Sequence, residues 1–359
     1  MNAIVWGAGG TTKDFFRKKI MNNGYDVVCV VDNNKLLWGT CIFEKYVVQS
    51  PDKIVNFQYD VIIICSIYYH EIKKQLIDDY GISDERIITY KDIEKRICNA
   101  IIKKYENSKE KDMVDTLNEF RKGNVSILGS YNPPYTEFSE VHREESGFPF
   151  ILFEGKRMYY PKNYLFNRKD GKEVVEDILY EQKKNSPHLY IPEGYKMPEN
   201  AVIVDAGVCE GNFALRYVEN AKKIYLVEAD DEWTEALQMT FKPYADKVVF
   251  CNKFLSGHNN ANEITLDALI DDRLDFLKMD IEGAEVDALL GGKEVLTNNR
   301  VQCAICSYHR QYDEKYIEHI LRSYGYDTKP SDGYMFFAFD ENMVETMDLR
   351  RGVIYGSKN

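Results

Sequence analysis

The sequence predicts an α/β protein built from two doubly wound, mostly parallel sheets, with the smaller unit first. Three observations carry this. The order strand, glycine turn, helix occurs twice, at Ala3–Phe16 and at Ala201–Arg216. Each copy is followed by a second apolar run ending in an acid, at Tyr25–Asp32 and at Lys223–Glu228. From residue 199 onward, apolar runs alternate with amphipathic ones, the pattern of a parallel sheet covered on both faces.

At 359 residues the chain exceeds one typical core, so two or more domains are expected. A net charge of −12 with no long basic block excludes nucleic acid as a natural partner. No run approaches the roughly eighteen apolar residues of a membrane span, and Met1-Asn-Ala-Ile-Val-Trp6 enters a strand, not a leader, so a cytoplasmic chain is expected. The eight cysteines mostly lie inside apolar runs such as Val61-Ile-Ile-Ile-Cys65, which fits reduced, buried thiols. Cys303 and Cys306 have C-x-x-C spacing, but an odd offset on a strand sends them to opposite faces, so no zinc or redox site is read there.

In chain order, residues 1–98 read as a small Rossmann-like domain: strands at Ala3–Trp6, Tyr25–Asp32, Tyr59–Cys65 and Arg86–Thr89, with a helix carrying Ile72, Leu76 and Ile77. Thr12 stands where a dinucleotide fingerprint has its third glycine. A mononucleotide, a nucleotide-sugar or no ligand at all could sit over Gly7 to Gly10. Residues 99–122, with Ile101, Ile102, Tyr105, Met113 and Leu117 among many charges, read as exposed connecting helices. Residues 123–198 are aromatic-rich. A hairpin turns near Gly155, and Val174, Val175, Ile178 and Leu179 mark one face of a helix running to Glu181-Gln182. Residues 199–345 form the larger domain, with strands at 201–205, 223–228, 247–251, 275–280 and 301–308 and a late strand at Tyr334–Phe339; residues 346–359 are a tail too polar to assign.

The stretch Val204-Asp-Ala-Gly-Val-Cys-Glu-Gly211 carries the chemistry. Gly207 lets the backbone approach a ligand, Gly211 lets the helix start pack on the strand, and the N–H groups from Asn212 onward face an anion. Asp205 sits on the strand itself, where a carboxylate repels a pyrophosphate and welcomes an ammonium, which points to S-adenosylmethionine. Glu228, ending the next strand, can take both ribose hydroxyls. A third strand end, Lys278-Met-Asp280-Ile-Glu282-Gly-Ala-Glu285, crowds three acids that must share counter-charges, protons or a metal, or face solvent. The cofactor-binding candidates are Asp205, Gly207, Glu210, Gly211, Asn212, Glu228, Lys278 and Asp280. The bland alternative makes Asp205 and Glu285 helix-terminal acids and Glu228 a solvated strand end. Asp280, Glu282 and Glu285 could hold a divalent metal through oxygen ligands, but Lys278 already supplies positive charge, and the metal-free reading is preferred.

Of six histidines, His309 follows the strand expected beside Asp280 and is the first candidate for general base. His188 competes from the preceding segment, and Asp280 and Glu282 complete the catalytic candidates. His70, His142, His258 and His319 do not fall at a strand end of this sheet.

Residues 199 to about 340 resemble the FkbM family of S-adenosylmethionine-dependent methyltransferases, through Val204–Gly211, Val227-Glu228, Thr265-Leu-Asp267 and Lys278–Glu285 in order and spacing. The resemblance implies a class I methyltransferase Rossmann-like fold, with a mixed seven-stranded sheet whose last strand is antiparallel. It also implies O-methylation, commonly of sugars or polyketides. Cys209 departs from the middle glycine of many class I enzymes. Residues 1–98 resemble small Rossmann-like domains attached to bacterial surface-sugar enzymes. The segment 123–198, with Glu181-Gln182 and Ser186-Pro-His188, resembles the region preceding the catalytic domain in some two-domain relatives. The expectation is an O-methyltransferase acting on a carbohydrate hydroxyl in surface polysaccharide or glycan assembly. The rivals are an NAD(P)-dependent two-domain oxidoreductase and a binding protein that senses a nucleotide-sugar.

Overall fold

The fold is described from a computed structural model covering residues 1–17, 24–43, 45–124, 126–131, 138–175, 180–271, 273–340 and 342–358. The chain divides into two compact units, one of residues 1–127 with 336–349, the other of residues 128–335 with 350–359. Among the described residues no helix is long and apolar enough to cross a membrane.

The first unit has β1 (Asn2–Trp6), β2 (Asp26–Val31), β3 (Cys41–Ile42), β4 (Tyr46–Gln49), β5 (Val61–Ile64) and β6 (Ile87–Thr89), in the order β3-β4-β2-β1-β5-β6. All pairs are parallel except β3 with β4. The apolar runs fill the core with Ile4, Trp6, Val31, Ile62, Ile64 and Leu76. Gly7 has φ +118°, and a Cβ there would lie 2.4 Å from the Cys65 carbonyl oxygen. Thr12 ties this turn down by donating to the Gly7 and Cys65 carbonyls at 2.7 and 3.1 Å. The helix read as starting near residue 99 instead begins at Tyr90 and runs to Tyr105. A capping box between Thr89 and Asp92 starts it. Its Ile93, Ile97 and Ile101 and the Met113, Leu117 and Phe120 of helix Lys111–Arg121 are buried, so these helices have a packed face and are not simply exposed.

The second unit opens with small sheets: β7 (Ser139–Glu140), β8 (His142–Arg143), β9 (Pro149–Phe153), β10 (Lys156–Tyr159), β11 (Asn167–Lys169) and β12 (Lys172–Val175). The β9–β10 hairpin turns at Glu154-Gly155, both at positive φ, as its glycine signals. Val174 and Val175 lie in a strand, contrary to the helix expected there. The Asp170-Gly171 pair, at φ 50° and 78°, closes a β11–β12 hairpin, whereas Ile178 and Leu179 fall outside the described residues.

The main sheet comprises β13 (Val202–Ala206), β14 (Lys223–Val227), β15 (Val248–Cys251), β18 (Phe276–Met279), β19 (Gln302–Cys306), β20 (Asp327–Pro330) and β21 (Val353–Ser357); a separate pair, β16 (Phe254–Leu255) and β17 (Glu263–Ile264), lies between them in sequence. The order is β15-β14-β13-β18-β19-β21-β20, with β21 antiparallel to both neighbours. The chain winds outward from β13 to β15, then returns to β18 on the other side. This places the switch of direction between the ends of β13 and β18, where a doubly wound sheet opens a crevice. Two late elements differ from expectation. Tyr334–Phe339 is no strand: Met335 makes a bridge to Arg350, and Phe336 donates to the Ile127 carbonyl within the first unit. The true last strand, β21, lies in the tail read as too polar to assign. Its Val353 and Ile354 are fully buried because it is inserted between β19 and β20.

Candidate active site

The turn after β13 is shaped by close packing. Gly207 has φ +71°, and a Cβ there would lie 1.7 Å from the Asp280 carbonyl oxygen, so its glycine is demanded by the approach of β18's end. Gly211, at φ +83°, meets Leu237 and Phe241 of helix Asp231–Phe241 within about 3 Å of a would-be Cβ, so it packs on that helix more than on the strand. Cys209 adopts φ +50°, a left-handed conformation that explains why a glycine is common at such a place.

Glu228, just past β14, is braced from two sides. Its Oε2 accepts from the Cys209 N–H and its Oε1 from the Asp230 N–H, both at 2.9 Å. The remaining lone pairs are left for a ligand's hydroxyls. The first unit repeats this bracing at Asp32, which accepts from the N–H groups of Ala8 and Asn34 at 2.7 Å each.

Asp205 turns inward. It is 0% exposed, and its partner across β13 and β18 is Lys278, whose Nζ lies 3.1 Å from Oδ1. Lys278 also reaches the carbonyls of Ala206 and Gly207. Burial alone would favour its neutral form, but Asp205 and Asp280 outweigh this and hold it charged. The carboxylate expected to meet an ammonium is thus held in an internal ion pair, because β13 and β18 are neighbours in register.

Asp280 is the centre of a buried polar cluster. Its Oδ2 accepts from the Tyr190 hydroxyl at 2.7 Å and lies 3.2 Å from His188 Nε2. Its Oδ1 accepts from the Tyr308 hydroxyl at 3.2 Å and lies 3.3 Å from His309 Nε2. Each imidazole is backed by a glutamate, His188 Nδ1 by Glu181 at 3.3 Å and His309 Nδ1 by Glu285 at 3.0 Å. The result is an alternating chain, Glu181–His188–Asp280–His309–Glu285. Burial would raise the Asp280 pKa, but the His188 hydrogen bond and the charges of His188, His309 and Lys278 pull it well below the usual carboxylate range. For His188, burial works against protonation, yet Asp280 and Glu181 prevail and push its pKa up to about 9; His309 is raised likewise by Glu285, Asp280 and Glu282 against the effect of burial. Because His188 gains proton affinity on folding, its contribution to stability is full below pH 6.5 and is lost as pH rises through about 9. Urea titrations of wild type and His188→Gln at pH 6 and pH 9 should therefore show a larger loss with pH in wild type; equal slopes would remove this assignment.

A cavity of 880 Å³ runs along the carboxyl edge of the sheet, within the size range of small-molecule sites. Gly207, Glu210, Asn212, Glu228, Lys278, Asp280, Glu282 and His188 line it. Gly211, Asp205 and His309 do not: His309 is 3% exposed and is set behind Asp280. Glu282 stands largely in solvent at φ +56°, with Oε2 3.8 Å from His309 Nε2. Glu210, half-buried beside Cys209, has its pKa lifted to about 7 by desolvation. Glu181 and Tyr190 are site groups that the sequence does not single out. The segment from Ser186 to Tyr190 is a turn that sets Tyr190 against His188, so strand alternation offers no signal for Tyr190. Two triplets, His188–Asp280–Cys306 and Asp280–Glu285–His309, have ligand atoms close enough together to hold a metal.

Site and sheet together define a class I methyltransferase fold. Residues 216–328 match the family model of the methyltransferase FkbM domain, and residues 1–88 match a model described as C2185-like, N-terminal. Among solved structures, a methyltransferase FkbM from Methylobacillus flagellatus KT is 15% identical, covering 99% of this chain and 89% of that one at a TM-score of 0.50. The precorrin-6y C5,15-methyltransferase of Geobacter metallireducens GS-15 is 12% identical (45% and 84% covered, TM-score 0.32), and the Methanococcus jannaschii fibrillarin pre-rRNA processing protein 10% identical (62% and 99%, TM-score 0.33). The last two are too distant to carry an argument. No curated protein matches the chain.

Proposed function

We propose that the protein is an S-adenosylmethionine-dependent O-methyltransferase acting in the cytoplasm on a carbohydrate hydroxyl, in assembly of a bacterial surface polysaccharide or glycan. The observation that carries this reading is that a single cavity holds the braced Glu228 carboxylate together with the ionised Asp280 carboxylate facing His188. The residues present fit the cofactor: Glu228 has free lone pairs for ribose hydroxyls, and the Glu210 carboxylate lies in the lining for an ammonium. When bound, the cofactor supplies an electrophilic methyl group on a sulfonium. The acidic and aromatic lining, with Lys253 and Lys278 as its only lysines and no arginine among the described residues, favours an uncharged polyol over an anionic acceptor.

In this reading Asp280 orients the acceptor hydroxyl and His188, in its neutral form, receives the proton through Asp280 while Glu181 accepts from Nδ1. His309, the candidate ranked first in sequence, acts from behind Asp280 as a positioning group, and exposed Glu282 is the less favoured alternative. Since His188 must be neutral, turnover should rise with pH and level off near pH 9. A flat profile from pH 7 to 10 would exclude His188 as the base.

Separate calorimetric titrations with S-adenosylmethionine and with NAD test the reading. Heat with the first only is expected; binding of NAD alone would favour the oxidoreductase reading. Both Asp280 oxygens already face an imidazole and a tyrosine hydroxyl, which supports chemistry without a metal ligand there. EDTA-treated protein should keep its turnover, and loss reversed by Mg²⁺ would reassign Asp280 and Glu285 as ligands.

A further inference from the structure

Tyr160 is 1% exposed and lines the cavity, yet its hydroxyl has no hydrogen-bond partner among the described residues. Buried hydroxyls ordinarily find partners, and leaving one unmet costs stability. Nor is its position loosely determined. Its N–H donates to the Pro149 carbonyl at 2.8 Å, and the adjacent Tyr159 N–H donates to Thr240 Oγ1 at 2.9 Å, fastening the β9–β10 hairpin to helix Asp231–Phe241. At the other end of the hairpin, Glu154 accepts from Arg216 Nε at 2.8 Å. The Tyr160 ring packs with Tyr164, Phe166 and Trp233 at centroid distances of 5.1, 5.1 and 6.0 Å. Tyr160 shares the cavity lining with Cys209, whose N–H braces Glu228, and with Glu210 and Glu228 themselves.

We infer that Tyr160 is a binding residue for the nucleoside part of the cofactor, donating its hydroxyl to a ribose or base acceptor while Tyr164 and Trp233 form an aromatic wall beside it. The inference rests on the S-adenosylmethionine reading above. It gives the segment before the sheet, which lies outside the matched family domain, a direct part in the site. It also explains why an unmet hydroxyl is kept where a phenylalanine would pack as well.

S-adenosylhomocysteine carries the same nucleoside without a transferable methyl and is the probe. Tyr160→Phe should melt at the same temperature as wild type or higher without ligand, and should bind S-adenosylhomocysteine about 2- to 12-fold more weakly in calorimetry, the range of one hydrogen bond. Trp233 is the one tryptophan of the second unit, the others being Trp6 and Trp38, so a ligand-induced fluorescence change is expected in wild type and should vanish in Trp233→Phe. Unchanged affinity in Tyr160→Phe, with wild type binding normally, overturns the assignment of Tyr160 alone. Failure of wild type to bind either S-adenosylmethionine or S-adenosylhomocysteine overturns the cofactor reading and this inference with it.

Discussion

Asp280→Asn is expected to lower turnover by roughly 10²- to 10⁴-fold while leaving affinity for S-adenosylmethionine within a few-fold of wild type. The carboxylate receives two tyrosine hydroxyls and faces two imidazoles, and asparagine keeps the shape while removing the charge that both histidines answer. His188 should lose proton affinity in the same variant, because Asp280 is the first of the partners that raise it. Steady-state rates with calorimetry decide the matter. Turnover like wild type, or a parallel loss of cofactor binding, would take Asp280 out of the acceptor side. His188→Ala should behave similarly, whereas His309→Gln should shift the pH profile more than it lowers the maximal rate.

Lys278→Met is expected to destabilise the fold by about 3–5 kcal/mol, since it strands the Asp205 carboxylate at 0% exposure without its cation. The double variant Asp205→Leu with Lys278→Met removes both charges and should recover most of that loss, because a buried pair contributes little beyond an apolar one. Chemical denaturation of the two variants measures the coupling. Equal destabilisation of the single and double variants would mean that Asp205 and Lys278 do not depend on each other. Asp205→Asn should therefore act chiefly on stability, and only indirectly on ligand affinity.

Much of the site was legible in the sequence because local patterns encode strand ends. The apolar run before Asp205, the glycines after it, and the acid closing the next strand each report a backbone event within a few residues. These placed Glu228, Lys278 and Asp280 at one edge of the sheet. The late strand is hidden from local pattern for the converse reason. From Phe336 to Phe339 the stretch is apolar because it belongs to the first unit, whereas Val353–Ser357 is short and flanked by polar residues yet buried by its neighbours on both sides.

The sequence by itself determined the two α/β units, the strand–turn–helix at residues 201–216 and the acids available to a ligand, since each follows from chain chemistry over short distances. Only the tertiary structure decided which of those groups face the cavity. Setting β13 beside β18 in register turns Asp205 inward onto Lys278. Bringing residues 181–190 over the end of β18 puts His188 in the lining and leaves His309 behind Asp280. Docking the β9–β10 hairpin on helix Asp231–Phe241 sets Tyr160 at the cavity wall. All three depend on contacts between residues about 70 to 120 positions apart or on the packing of whole elements, and no local pattern of residues carries that information.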